Sequence, residues 1–308
     1  MLKPGTLRKL VEERTARAIG QGALQSIPTH AEHVEDGGVR FLVRVLANLD
    51  RKNEDRKRQL ENERHSGQTV NPFLPYERDL FVADLTQTHL ALLNKFNVVD
   101  HHLLMVTRHF EHQDTLLTRE DFEATWLVLR EYDSLAFYNG GQVAGASQKH
   151  KHLQLIPLPM TDIDPVPPIE LMFEKLQAFP DKTWRWPDIP FRHTFAWLDA
   201  RWGKRPKDAS SRTKDIYDGL MMAAGLSDGA SHCRNSWQNG PYNMLMTSRW
   251  MLIVPRSAEC FEGVSINALG FAGALLVRRQ EELDRVRSVG PWTVLSKVAR
   301  PWNDDVGP

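Results

Sequence analysis

Cysteine is nearly absent from this chain: two residues in 308, Cys233 and Cys260. Their spacing fits neither a zinc site nor a disulfide framework, so two buried, inert thiols in a reducing compartment are expected. A surplus of either charge is missing as well, with 39 basic residues against 39 acidic ones. That balance excludes the broad basic footprint of a nucleic-acid-binding protein, and any anion site must be local. No stretch approaches the ~20 apolar residues that span a bilayer. Residues 1–20 are charged and helical in character (Leu7, Leu10, Val11, Ala18) and lack the apolar core of a signal peptide. A cytoplasmic protein with no membrane partner is expected. Histidine does not occur after His232, which confines imidazole chemistry to the earlier part of the chain.

What is present is ordinary in bulk and unusual in one place. A hydrophobic fraction of 41% and a charged fraction of 25% suit a globular protein with a sizeable core in one large or two smaller domains. The unusual place is Ser147 to Ile156, reading SQKHKHLQLI, where two histidines and a glutamine recur every second residue. A strand turns alternate side chains to opposite faces, so His150, His152 and Gln154 would line one face while Leu153 and Leu155 enter the core. Lys149 and Lys151 would point away from that face, with either able to steer anions. The turn Gly145-Ala146-Ser147 precedes the strand.

Around this segment the pattern is sheet-like. Leu90–Phe96 and His102–Thr107 read as a hairpin across Asn97–His101. Thr118 reads as a helix N-cap ahead of Glu120 and Asp121, with Phe122, Trp126 and Leu129 at helical spacing. Leu135–Tyr138 reads as a short strand before the turn Asn139-Gly140-Gly141. The charged stretch Arg51–Arg64 reads as a solvated face. Proline-rich Pro157–Pro168 reads as the connection to a second half, giving segments 1–165 and 166–308. Strands return at Tyr242–Thr247 and Trp250–Val254, whereas the Trp-rich segment 184–202 shows no regular pattern. HLLMVTRHFE from His102 and WMLIVPRSAE from Trp250 match in type and offset, which suggests an internal duplication.

Three readings of His-x-His stand side by side. A metal site needs further ligands, and none is evident nearby. A structural role leaves the in-phase Gln154 and the glycine turn unexplained. Nucleophilic attack by a neutral imidazole on phosphorus needs fixed donors for the developing charge, and Ser147, Gln148 and Gln154 supply them within a few residues.

The segments Phe137–Gly141, Gly145–Gln154, Leu92–Val99, His102–Thr107, Tyr242–Thr247 and Ser265–Val277 together resemble the diadenosine tetraphosphate phosphorylases. These are also known as ATP adenylyltransferases and belong to the histidine-triad superfamily, in its uridylyltransferase-like branch. The likeness runs over most of the chain from about Arg40. It implies a duplicated α+β fold, each half an antiparallel sheet with packed helices, the second half a diverged copy that completes the nucleotide site. It implies reversible phosphorolysis of diadenosine tetraphosphate to ATP and ADP through an adenylyl-histidine. Carried over by position, His152 is the nucleophile, His150 fixes its orientation, and Gln154 bonds the phosphate under attack. Asn139 and Gly145, Ala146, Ser147 and Gln148 would hold the phosphate chain. Asn94 and Lys95 would lie near the adenosine or its phosphates, Lys52 would reach the polyphosphate, and Asn243 and Thr247 would bind the distal nucleotide. No metal site and no tightly bound cofactor are expected, although magnesium could enter with the nucleotide. Nucleotides and inorganic phosphate are the expected partners of a monomer. A hexose-1-phosphate uridylyltransferase, a dinucleoside polyphosphate hydrolase and a nucleotide sensor without turnover are the alternatives. Lys151 between the histidines, where the uridylyltransferases carry proline or glycine, favours the adenylyl branch.

Overall fold

The central strands are buried on both faces, reading as continuous buried runs in Leu103–Thr107, Ser134–Gly140, Tyr242–Met246 and Trp250–Pro255. The computed structural model describes residues 2–47, 71–160, 165–175, 182–228 and 236–302. In chain order the first strands are β1 (Thr29–Asp36), β2 (Val39–Leu46), β3 (Phe81–Asp84), β4 (His89–Leu93), β5 (Leu103–Thr107), β6 (Ser134–Gly140) and β7 (His152–Pro157). They are followed by β8 (Thr183–Trp184), β9 (Thr194–Trp197), β10 (Tyr242–Met246), β11 (Trp250–Pro255), β12 (Cys260–Phe261), β13 (Val264–Ser265) and β14 (Ala274–Val277). The α-helices are α1 (Leu7–Gly20), α2 (Arg119–Leu129), α3 (Pro206–Ala223), α4 (Ala268–Phe271), α5 (Gln280–Val289) and α6 (Pro291–Val298).

Nine of the strands form one antiparallel sheet in the order β3-β4-β5-β7-β6-β10-β11-β9-β8. The sequence suggests a sheet for each half. Instead a single sheet runs through both, joined where β6 pairs with β10 and Asn139 lies opposite Asn243. The segments that suggested duplication become β5 and β11 of this sheet. At their matching arginines the environments differ: Arg108 bonds Asp84 near the surface, whereas Arg256 is fully buried. A second sheet, β1-β2-β14, pairs β14 in parallel with β2 and so ties the late chain back to the early chain.

The two faces of the large sheet bury different partners. Leu153 and Leu155 of β7 join Met105, Tyr138 and Met244 beneath α1, α2 and α3. Burying each leucine stabilises the chain by ~1.5–3 kcal/mol relative to exposure, and a one-residue slip would exchange them for the histidine face. On the opposite face Phe137, Ile156 and Leu245 pack against β2, β14 and α4–α6. Phe73 covers Leu90, Leu92, Leu104 and Val106 in a smaller cluster. His152 and Gln154 lie between these two clusters, opposite Val106 and Leu104 of β5. Trp186 and Trp197 pack with the second-face core and Trp202 with the helix layer, so packing accounts for these members of the Trp-rich segment.

Lys151 does point away from the His152 face, but it cannot steer anions. Its side chain is fully buried in the helix layer, and Nζ donates to Glu111 Oε2 (3.0 Å), the Leu116 carbonyl (3.1 Å) and Asp121 Oδ2 (3.4 Å). Asp121 also closes the capping box of α2, accepting the Thr118 N–H at 2.7 Å while its own N–H donates to Thr118 Oγ1 at 3.3 Å. Its other oxygen bonds His89 Nε2 at 2.8 Å. Burial by itself would raise the Asp121 pKa. The Lys151 ammonium and the bonds from His89 and Thr118 overcome that and hold it well below the ordinary carboxylate range. The thiol expectation fails for Cys260, which is exposed on β12; Cys233 lies outside the described residues. Among the described residues no helix is long and apolar enough to cross a membrane.

Because the folded pKa of Asp121 is depressed, its stabilisation is present above about pH 4 and is lost as pH falls below that value. Asp121→Asn should lower the unfolding free energy by about 3 kcal/mol at neutral pH, since it strips one partner from a buried charge. Urea denaturation measures this; a loss too small to resolve would show the cluster to be dispensable.

Candidate active site

The backbone N–H of His152 donates to Gln113 Oε1 at 2.9 Å, and its Nδ1 lies 2.8 Å from the carbonyl oxygen of His150. A carbonyl only accepts, so the ring proton sits on Nδ1 and Nε2 carries a lone pair. Among the described residues no hydrogen bond engages that Nε2. Phe73 stands against the ring, with centroids 5.3 Å apart. Burial disfavours the imidazolium and takes the pKa of His152 down to about 4, against the opposing effect of the His150 carbonyl. The imidazole is therefore neutral at pH 7, with its lone pair on Nε2.

His150 does not share the strand. β7 begins at His152, and His150 sits before it in an isolated bridge with His112. Asn71 Oδ1 accepts the Phe73 N–H at 3.0 Å, which turns its Nδ2 towards His150 Nδ1 at 3.1 Å. His150 Nε2 then carries the proton and donates to the Thr107 carbonyl at 2.8 Å. Both ring nitrogens are occupied, which removes His150 as a metal ligand. Its burial lowers its pKa as well. What reaches His152 from this residue is its carbonyl oxygen.

Gln154 is oriented by a similar device. Asn94 Oδ1 accepts the Phe96 N–H at 3.4 Å, so Asn94 Nδ2 faces His102 Nδ1 at 3.2 Å. His102 Nε2 therefore bears the proton it donates to Gln154 Oε1 at 3.0 Å. The NH2 end of Gln154 is left as the end that His102 does not engage. Asn94 thus acts at one remove, and His102 is a site residue that sequence reasoning placed only on a strand. Its period-2 phase with Leu104 and Val106 was the available signal.

Sequence reasoning also missed Gln113. The pairing of β6 with β7 ends at Phe137 and Gln154. Beyond it the buried Gln113 side chain bridges the gap, its Nε2 donating to the carbonyls of Asn139 (2.9 Å) and His152 (3.3 Å). No local pattern marks this residue.

The glycine turn is braced from the late chain. Gly141 and Gly145 have φ of +95° and +93°, and a Cβ on Gly145 would meet Asn267 at 3.0 Å. The N–H groups of Gly145 and Ala146 donate to the carbonyls of Gln142 and Gly141, so they close the turn and do not face a phosphate. Ser147 is exposed and Gln148 half-buried. Asn139 and Asn243 form a buried network: Asn243 Nδ2 donates to Asn139 Oδ1 and to the Ala144 carbonyl, both at 2.9 Å, and Asn243 Oδ1 accepts from Arg256. Thr247 Oγ1 accepts the Arg249 N–H at the other end of β10, four residues from Asn243 and about 13 Å along the strand. The structure thus does not bring Thr247 to His152, and it spends Asn243 on bracing the turn. Lys95 pairs with Glu77 at 2.9 Å near the surface. Lys52 lies outside the described residues. A larger cavity of about 390 Å³, lined by Trp126, Arg130 and Lys204 among others, opens on the helix face of the sheet, away from His152.

Two family models match in tandem: the Ap4A phosphorylase N-terminal domain over residues 1–175 and the ATP adenylyltransferase C-terminal domain over residues 187–301. The chain belongs to the Ap4A phosphorylase family. Protein APA1 of Saccharomyces cerevisiae is 25% identical over 315 residues, covering 92% of this chain and 90% of that one. The diadenosine 5',5'''-P1,P4-tetraphosphate phosphorylase 2 of the same yeast is 28% identical over 254 residues, covering 73% and 74%. In fold, the crystal structure of yeast Ap4A phosphorylase Apa2 superposes with a TM-score of 0.79 at 23% identity, covering 100% of this chain and 98% of that chain. In this member of the Ap4A phosphorylase family, His102, His150 and His152 lie close together, and among the described residues His152 is the one of the three whose Nε2 makes no hydrogen bond.

Nitrogen-edited NMR of histidine-labelled protein should find His152 as the Nδ1–H tautomer at pH 7, with a titration midpoint near 4. A midpoint near 6.5 would refute the buried, neutral imidazole. The folded pKa is depressed, so the unfolded chain binds the proton first. Stability should therefore fall as pH drops from about 6.5 to about 4.

Proposed function

We propose that this protein cleaves diadenosine tetraphosphate with inorganic phosphate, giving ATP and ADP reversibly, through an adenylyl group carried on His152. The observation that carries this reading is the imidazole of His152, held neutral with its Nδ1 proton on the His150 carbonyl and its Nε2 free, in a chain of the Ap4A phosphorylase family. Nε2 attacks the α-phosphorus, the bond to the bridging oxygen breaks, and ATP leaves. The ring becomes cationic as the N–P bond forms, and the Nδ1–H bond to the carbonyl strengthens with that charge. The free NH2 of Gln154 donates to the phosphoryl oxygens. Phosphate, partly dianionic at neutral pH, then attacks the adenylyl group and releases ADP, so no dedicated general base is needed.

The adenosine that stays on the enzyme is assigned to the narrow, mostly apolar crevice two residues beyond Gln154 on the same face, lined by Leu42, Arg44, Val99, Ile156, Met160 and Leu275, whose free space of about 20 Å³ must widen to seat it. The same reading takes Lys52 to the polyphosphate, magnesium in with the nucleotide, and a monomer in the cytoplasm.

Reaction with labelled phosphate tests it: label should appear in ADP, with ping-pong kinetics. Formation of AMP without phosphate would mark a hydrolase, and turnover of uridine diphosphate sugars a uridylyltransferase. His152→Ala should lose more than the ~10²–10⁴-fold typical of one acid–base group, because the covalent route itself is gone. Gln154→Leu should slow adenylyl transfer about 10²-fold, the effect of one lost oxyanion donor. Near-native turnover in either variant removes that residue from the mechanism.

A further inference from the structure

We infer that Phe110 and Trp237 form an aromatic shelf that stacks the distal nucleobase of the substrate, the one that departs with ATP. This rests on the phosphorolysis reading and adds the subsite it lacks. The expected distal ligands are spent: Asn243 braces the glycine turn, and Thr247 lies at the far end of β10.

Single exposed apolar residues are normal, but a convergence of them marks a binding surface. Among the described residues eight large apolar side chains are exposed, and Phe110 (54%) and Trp237 (59%) are the aromatic ones. Both lie at the mouth of the site. The Phe110 ring is 5.4 Å from His150 and 6.3 Å from His112, and the His112 ring is 4.8 Å from Trp237. Two more of the eight adjoin site elements in the chain: Leu74 follows Phe73, which packs on His152, and Val143 is in the glycine turn.

The shelf has a rigid base. Trp237 bridges to Thr115, the Leu116 N–H donates to the Ser236 carbonyl at 2.8 Å, and the Gln238 N–H donates to the Asp114 carbonyl at 3.0 Å. Gln238 Nε2 also holds the Gly140 carbonyl at 2.9 Å. A wide-open tryptophan is thereby fixed beside the strand end.

Polarity along β7 assigns the shelf to the distal end. The apolar cleft opens beyond Gln154, towards Ile156. Phe110 lies beside His150 and Trp237 beside His112, the bridge partner of His150, at the N-terminal end of β7, whereas Ile156 is towards its other end. A dinucleotide attacked at His152 with one adenosine in the cleft sends its remaining phosphates and second base this way, past exposed Lys149. Stacking on a ring face is tolerant of base identity, so adenine and guanine should serve nearly equally as the distal base.

The test compares diadenosine tetraphosphate with adenosine tetraphosphate, which has the same phosphates and no distal nucleoside. Trp237→Ala with Phe110→Ala should shrink the preference in kcat/KM for the dinucleotide about tenfold or more, the size of one lost base stack. In the reverse direction KM should rise for ATP, the acceptor, without a matching rise for ADP, the adenylyl donor. Trp237→Phe should restore most of the preference. An unchanged preference, or equal losses on both substrates, overturns the shelf. Failure of the underlying reading looks different: the unaltered protein would yield neither ATP and ADP from diadenosine tetraphosphate nor ADP and inorganic triphosphate from adenosine tetraphosphate.

Discussion

The hydrogen bond from His152 Nδ1 to the carbonyl of His150 decides what this site can do, because it leaves the lone pair on Nε2. A side-chain acceptor could rotate or change its protonation; a carbonyl held between a bridge to His112 and the start of β7 does neither. The surroundings serve that bond. The Gln113 amide fixes the His152 backbone on both its N–H and C=O. Leu153, Leu155 and Lys151 anchor the opposite face of the strand in the helix layer. Preorganised geometry of this kind removes the reorganisation that water would otherwise have to undergo during the reaction.

Polarity in the site originates in backbone groups that cannot flip. Asn71 and Asn94 each accept the N–H of the residue two positions on, and each therefore donates from its amide nitrogen to a histidine Nδ1. The consequence is opposite to that at His152. His150 and His102 carry their protons on Nε2, spend them on the Thr107 carbonyl and on Gln154, and are left without a lone pair to offer. Three neighbouring imidazoles thus have distinct roles because their hydrogen-bond partners differ.

The late part of the chain contributes no histidine to this face, and its contribution is mechanical. Arg256, fully buried, bonds Asn243 and the carbonyls of Val298 and Ile266; Asn243 in turn holds Asn139 and Ala144. A guanidinium withdrawn from water is costly unless every donor finds an acceptor, and here the acceptors come from β10, the turn before β7, the segment ahead of α4 and the last residue of α6. Burial lowers its pKa to about 10, opposed by Glu259 and Cys260, and it remains charged.

Local pattern determined a good deal. Period-2 alternation in HKHLQLI set which side chains of β7 face which way, and the hairpin of β4 and β5 and the N-cap of α2 were legible because hydrophobic period and capping chemistry are local properties. The likeness to Ap4A phosphorylases was carried by those same short segments. Long-range partners were not legible. Nothing near Gln113 or His102 announces a contact 39 or 52 residues away, and Lys151 looks like a solvent-facing lysine until Glu111, Asp121 and a helix layer close over it. The sequence by itself determined the strand, its phase and the residue types for phosphoryl chemistry. Only the tertiary structure decided which imidazole keeps a free nitrogen, because that depends on which backbone carbonyl or amide the packed sheet brings to each ring.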